Sequence, residues 1–497
     1  MSFISPTFLI FLPAALIVYF LTPSRFRWCV LLPASFVFYW FVGGVRGLAS
    51  ITFTILTVYA SGRWAGALRQ KKAARALRRL PLAICLVLNF GLLAFMKFGG
   101  ALASGLGLLL IPGISFYTFQ AAGYLTDIYT GKVTPERNLF RTALFLSFFP
   151  QLIQGPISRH SEIANDLFAG HGWDWERSRS GAQRILWGYF TKLIVADYAA
   201  PVVGSVFENY REHGGALIVF AVILYSIQIY ADFSGGINIA LGVAKIIGVK
   251  LPENFRQPFF ATSLADFWRR WHITLGSWLK DYLFYPLSLS APLGKLGKFT
   301  RKVFGKRTGK MLPSIIATFC VYLVVGVWHG SSWNLIVFGL LNGVMISTSL
   351  LIDPWIEKIR NKTGIIGTKS GVCRVFSALR TLAFLVFLRY FVRAESLWTA
   401  LSMFKQSLYN PVIKELWSRT LLNLGLNTMG WCVLGFGIVV LFVRDFLTER
   451  GIDCGEMLNR SKPVIQYLVL IVAVISITFF GIYSEQALSA SFIYAGY

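Results

Sequence analysis

The chain has 497 residues, 55% of them hydrophobic and only 14% charged, and carries a formal net charge of +26. Soluble globular domains hold about a quarter charged residues, so this balance excludes an ordinary soluble domain and points to a lipid environment. The positive charge lies in short stretches between apolar runs, with no platform of stacking aromatics beside it, which argues against a nucleic-acid partner.

Apolar runs recur near 7–22, 28–42, 47–61, 80–97, 100–120, 140–157, 181–200, 215–245, 311–329, 333–352, 378–392, 431–444 and 463–481. A bilayer is crossed by about 20 residues of helix, and roughly ten to twelve of these runs read as true spans. The others are short or interrupted by Gly and Pro, the pattern of broken or re-entrant helices that line a protein interior. The expected fold is all-α and integral to the membrane. No small-residue cleavage site follows the first run, so it reads as a retained span rather than a signal peptide.

Basic residues set an expected orientation. Arg69, Lys71, Lys72, Arg75, Arg78 and Arg79 form one cluster, and Lys295, Lys298, Arg301, Lys302, Lys306, Arg307 and Lys310 a second. By the positive-inside rule both face the cytoplasm. Three runs precede the first cluster, which puts the N-terminus outside. Arg444, Arg450, Arg460 and Lys462 put the last loop inside, so the run at 463–481 carries the tail 482–497 outward. Two outside termini require an even number of spans.

Six cysteines are scattered without metal-ligand spacing and read as small apolar packing residues. No Walker loop, dinucleotide fingerprint, HExxH motif or internal repeat is present. No linker is visible, so residues 1–481 read as one multi-spanning domain followed by the tail. Asp232 and Asn238, polar within an apolar run, read as helix-to-helix hydrogen-bonding residues.

Residues 253–292 stand apart. Pro252, Pro258, Pro286 and Pro292 bracket a helix-like piece whose N-cap is Thr262 or Ser263, with Asp266 in its first turn. It mixes Arg269, Arg270, Lys280 and Asp281 with Trp268, Trp271, Trp278 and Tyr282, and so belongs at the interface or in a polar cavity. His272 lies within it. His329 ends an apolar run that Pro313 is expected to open, about 24 Å along the helix from that start. Acyl transfer to a hydroxyl needs a base near neutral pH, and imidazole, with an unperturbed pKa of about 6.5, suits it. The adjacent Gly330-Ser-Ser turn can present backbone N–H groups to an oxyanion. A core histidine bonded between helices, and an interfacial histidine in an aromatic belt, are the competing readings of His329 and His272.

Residues 266–283, together with Gly-Val-Trp-His-Gly-Ser-Ser-Trp-Asn at 326–334, resemble the signature blocks of the membrane-bound O-acyltransferase superfamily. The resemblance is to its bacterial branch of alginate O-acetyltransferases and teichoic-acid D-alanyl transferases. Similar blocks stand in the expected order at 111–117, 149–156 with Arg159, and 230–235. Departures occur at 287–292 and after Ser234. The resemblance implies spans arranged around a central tunnel, plus re-entrant and interfacial helices. It implies His329 as catalytic base and His272 as second active-site residue. Trp328, Asn334, Asp266, Arg269, Arg270 and Trp271 become substrate-contacting residues, with the three charged ones organising the segment through ion pairs or binding a phosphate-bearing donor. Phe492-Ile-Tyr-Ala-Gly-Tyr at 492–497 resembles the branch's C-terminal motif, which makes Tyr494 a covalent acyl carrier. An aromatic interfacial anchor is the competing reading of that tail.

The implied activity moves an acyl group, acetyl in the first instance, from a cytoplasmic thioester toward a cell-surface polysaccharide. The donor is acetyl-CoA or an acyl-carrier protein, no cofactor or metal is bound, and an extracytoplasmic SGNH-type enzyme is the expected partner in the cytoplasmic membrane. D-alanyl transfer from a carrier protein to teichoic acid is one alternative. A polysaccharide or lipid exporter with histidines lining its path is the other.

Overall fold

A computed structural model describes residues 1–100, 111–363 and 371–483. The chain is an all-α integral membrane protein. Among the described residues there is no β-strand, and a single antiparallel bridge joins Phe255 to Trp271. Nine helices among those residues are long and apolar enough to cross a bilayer: Ser24–Gln70, Arg75–Phe98, Trp175–Glu208, Gly215–Ile247, Met311–His329, Trp333–Ile352, Gly371–Arg393, Thr428–Glu449 and Pro463–Phe480. Pro6–Leu21 is apolar throughout and shorter.

The runs at 28–42 and 47–61 form one element, Arg27–Gln70, broken at Gly44, whose φ of 59° suits glycine. Its 44 residues would extend ~66 Å, about twice a bilayer's apolar thickness, so the break divides it into two crossings' worth of helix. The run at 100–120 lies partly outside the described residues and continues as the buried helix Ile114–Thr130. The run at 140–157 folds into two short buried helices, Leu139–Ser147 and Phe149–Leu152, meeting at Phe148. Pro150 is tolerated there because the first turn needs no N–H from it. Pro463–Phe480 exposes nearly all its apolar side chains, a surface stable in lipid and not in water.

Contacts divide the chain into two compact units. One comprises Met1–Ile194, Ala231–Glu253 and the stretch from Gly455; the other comprises Val195–Tyr230 and Asn254–Cys454. In the second, Ala291–His329 and Trp333–Thr363 form a hairpin turning at 330–332. The expectation that the first of these helices opens at Pro313 is not met. The helix starts at Ala291 with Pro292 in its first turn, breaks at Gly305 (φ 86°) and continues through Pro313.

In the first unit, the Trp175–Phe190 helix packs backbone to backbone on residues 231–247. A methyl group at Gly188 would sit 2.6 Å from the Gly235 carbonyl oxygen, and one at Gly181 would sit 2.7 Å from that of Gly242. Polar pairs continue this seam: Arg184 Nε donates to Asn238 Oδ1 (3.0 Å), and Lys192 Nζ to Asp232 Oδ1 (2.7 Å). Asn238 and Asp232 therefore bond helix to helix, as the sequence predicts. Lys192 and Asp232 are both buried, and Lys192 lies in the π-helical turn Thr191–Ala196.

Removing one charge of a buried pair is far more costly than replacing both. Lys192→Met is expected to destabilise the protein by about 3–5 kcal/mol, and adding Asp232→Leu to recover most of that loss. Thermal unfolding in detergent measures both, and an equal loss in the single and double variants would refute the expectation.

Candidate active site

The charged, aromatic segment is a helix broken in the middle. Leu264–Arg270 opens with Ser263 as N-cap, whose hydroxyl accepts from Asp266 N (3.1 Å). After Trp271 the chain turns at His272, which has φ 47° and ψ 52°, and a second helix runs Ile273–Leu279. A bulky residue in this left-handed region stores about 1–3 kcal/mol of strain and persists only where surrounding bonds over-determine it. Here they do. Arg256 N donates to Arg270 O (2.9 Å), Ile273 N to Asn254 O (3.0 Å), and Gly276 N to His272 O (3.0 Å). The fully buried Asn254 adds its side chain: Oδ1 meets His272 Nδ1 (3.2 Å), Thr274 N (3.1 Å) and Thr274 Oγ1 (2.9 Å).

His329 is the last residue of its helix and is buried. The hairpin brings its two backbones into contact just before it: a methyl at Gly326 would lie 2.7 Å from the Leu335 carbonyl oxygen. Gly330 N closes the helix on Gly326 O (3.3 Å), so this N–H is engaged in the cap rather than offered to an oxyanion. Asn334 Nδ2 donates to Phe391 O (3.0 Å) and Ala394 O (2.8 Å), pinning the turn to the end of Gly371–Arg393.

The two histidines converge on Trp328. Its indole lies 4.8 Å from the His329 ring and 6.1 Å from the His272 ring, centroid to centroid. The broken segment is tied to the hairpin by Trp268 Nε1 donating to Asn342 Oδ1 (3.0 Å). Phe338 packs edge-on to His329, and Tyr322 edge-on to Trp268. Trp271 is fully buried against Phe255, Phe267 and Tyr230, with the buried Arg389 guanidinium 5.1 Å from its ring centre.

Ionic groups gather on the preceding helix. Arg270 bonds Asp266 Oδ2 (3.0 Å) and both oxygens of Glu449 (2.7 and 3.2 Å), and Arg374 reaches Glu449 at 3.7 Å. Arg269 is mostly exposed and 3.5 Å from Asp266. Burial pushes the His272 imidazole down to about 3, so the ring is neutral at physiological pH. Among the described residues no group of three His, Cys, Asp or Glu side chains stands where it could hold a metal ion.

His329, His272, Trp328, Trp271 and Asn334 thus occupy one buried neighbourhood of the second unit, the last as an anchor of the hairpin turn. Asp266 and Arg270 are engaged in ion pairs. Tyr494 lies outside the described residues. Sequence reasoning missed Asn254, Arg389 and Glu449. Arg389 had a local signal, a cation nine residues beyond Arg380 inside the apolar run 378–392, whereas Glu449 sits 179 residues from its partner Arg270.

A sequence profile of the MBOAT, membrane-bound O-acyltransferase family matches residues 136–388, which include both histidines and the hairpin. The chain belongs to the membrane-bound O-acyltransferase family. It is an O-acyltransferase. Among its relatives in that family is a probable alginate O-acetylase of Pseudomonas syringae pv. tomato, 31% identical over 93% of this chain and 86% of the relative. A peptidoglycan O-acetyltransferase of Helicobacter pylori is 28% identical over 81% and 79%, respectively. A teichoic acid D-alanyltransferase of Bacillus subtilis is 29% identical over 50% and 61%.

Within this family member the Arg270–Glu449 pair is expected to hold the broken segment in place. Glu449→Leu removes two charge-assisted hydrogen bonds from a mostly buried guanidinium and should cost about 2–4 kcal/mol, read as a lowered unfolding temperature in detergent. An unchanged midpoint would show the pair to be incidental.

Proposed function

We propose that this O-acyltransferase moves an acyl group, acetyl in the first instance, from a cytoplasmic thioester across the plasma membrane toward a cell-surface polysaccharide. The reading is carried by one observation: two buried histidine rings share the indole of Trp328 within the matched region. The relatives' names support the acceptor class, since two act as O-acetylating enzymes of alginate and of peptidoglycan. The D-alanyl alternative is supported by a relative matching only 50% of the chain, against 93% for the alginate enzyme.

His329 is the base in this reading and His272 its partner. His329 takes the proton of an acceptor hydroxyl as that oxygen adds to the thioester carbonyl. The tetrahedral intermediate collapses with loss of thiolate, which recovers the proton and leaves as thiol. The first acceptor is the Tyr494 phenol, in a tail that basic-residue counting directs outward. The tyrosyl ester then passes its acyl group to the serine of an extracytoplasmic SGNH-type partner. Acetyl-CoA or an acyl-carrier protein docks on the basic loops from the cytoplasm. Arg269, exposed beside the site, supplies a cation for the donor's phosphates.

Mass spectrometry of the C-terminal peptide tests the relay. Wild-type protein made with donor present is expected to carry an acyl adduct on Tyr494, whose mass names the group. His329→Ala should carry none. An adduct in both proteins would remove His329 from the role of base, and no adduct in either would replace the relay by direct transfer.

A further inference from the structure

The geometry points to Asn254 as a positioning residue of the acyl-transfer site: its side-chain carbonyl fixes His272 as the Nδ1–H tautomer and leaves Nε2 as the ring's lone-pair nitrogen. This rests on the role of His272 proposed above.

Thr274 N is a backbone N–H, and it meets Asn254 Oδ1 at 3.1 Å. A backbone N–H only donates, so the side-chain atom facing it is the amide oxygen and not the amide nitrogen. Thr274 Oγ1 at 2.9 Å supplies a second donor to the same oxygen. His272 Nδ1 is 3.2 Å from that oxygen. An acceptor-only atom at this distance requires the proton on Nδ1, and a neutral imidazole has only one N–H. Nε2 is therefore the basic nitrogen.

Asn254 also holds the ring's backbone. Its own carbonyl accepts from Ile273 N (3.0 Å), the residue after His272, while Arg256 N is bonded to Arg270 O (2.9 Å). One buried residue thus fixes both the left-handed turn and the tautomer. An amide suits the task better than a carboxylate, because a carboxylate beside a buried imidazole favours the charged ring. The charged groups nearby act consistently. Arg389 over Trp271 disfavours a second cation, and Asp266 and Glu449 are matched by Arg269, Arg270 and Arg374. His329 and His272 both lie against the indole of Trp328.

The test uses membrane vesicles from host cells making the full chain, supplied with radiolabelled acetyl-CoA. Asn254→Leu should lower the transfer rate by about 100-fold, in line with losses from mis-orienting a working histidine. In the His272→Ala background the same change should cost nothing further. Asn254→Asp keeps the acceptor oxygen and should retain activity near neutral pH. It should add an acid limb to the pH–rate profile between about pH 5 and 7, as the carboxylate raises the His272 pKa; below that limb His272 is protonated and transfer stops. An equal cost of Asn254→Leu with and without His272 would overturn the positioning role and leave His272's own role intact. Wild-type transfer by His272→Ala would instead remove His272, and Asn254 with it. Should Asn254→Leu not fold, Asn254→Asp decides alone: a pH profile identical to wild type overturns the proposal.

Discussion

Each backbone N–H and C=O that this chain shields from water must be answered inside the protein, and the site depends on where that requirement is met without a helix. At Trp271 and His272 the helical ladder stops. Residues 254–256 take over, through the Phe255–Trp271 bridge and the bonds from Arg256 N and Ile273 N. The break would otherwise leave donors and acceptors bare at a buried position, at several kcal/mol each. Because it is answered, a histidine can stand in the left-handed region and still be rigid.

The partner histidine is placed by a different device. Small residues let helices approach closely where the hydrophobic effect supplies no attraction between them. Gly326 and Gly339 bring the two arms of the hairpin together, so the last turn before Gly330 has little freedom. Asn334 and Asn342 then tie the hairpin to Gly371–Arg393 and to Trp268. Both histidines are consequently mounted on rigid backbone rather than on long loops, which is how chemistry is held to within fractions of an ångström.

The helices were legible in the sequence because length and hydropathy are local properties, and both histidines stood out because an ionisable group in an apolar run is conspicuous. The helix boundary at Pro313 was misread for an equally local reason. Proline is favoured in a first turn, but Gly305 had already broken the helix upstream and the proline was absorbed. The interruption at His272 left no periodic trace, since its cause is a pairing with residues 18 positions earlier. Glu449 and Asn254 were invisible on the same ground: neither is unusual in its own neighbourhood, and each matters through a distant partner.

Separation of charge from the imidazoles completes the arrangement. Asp266 and Arg270 on the helix before the break are neutralised together with Glu449, the last residue of Thr428–Glu449, while His272 on the far side of the break is given a neutral amide. Had the carboxylates faced the ring, ion pairing would have favoured imidazolium, which has no lone pair to accept a proton. Had the ring been buried with no acceptor, its tautomer would be free to change and the basic nitrogen with it. An aromatic and amide surround, with the nearby carboxylates matched by arginines, is the environment that keeps a buried histidine both uncharged and oriented.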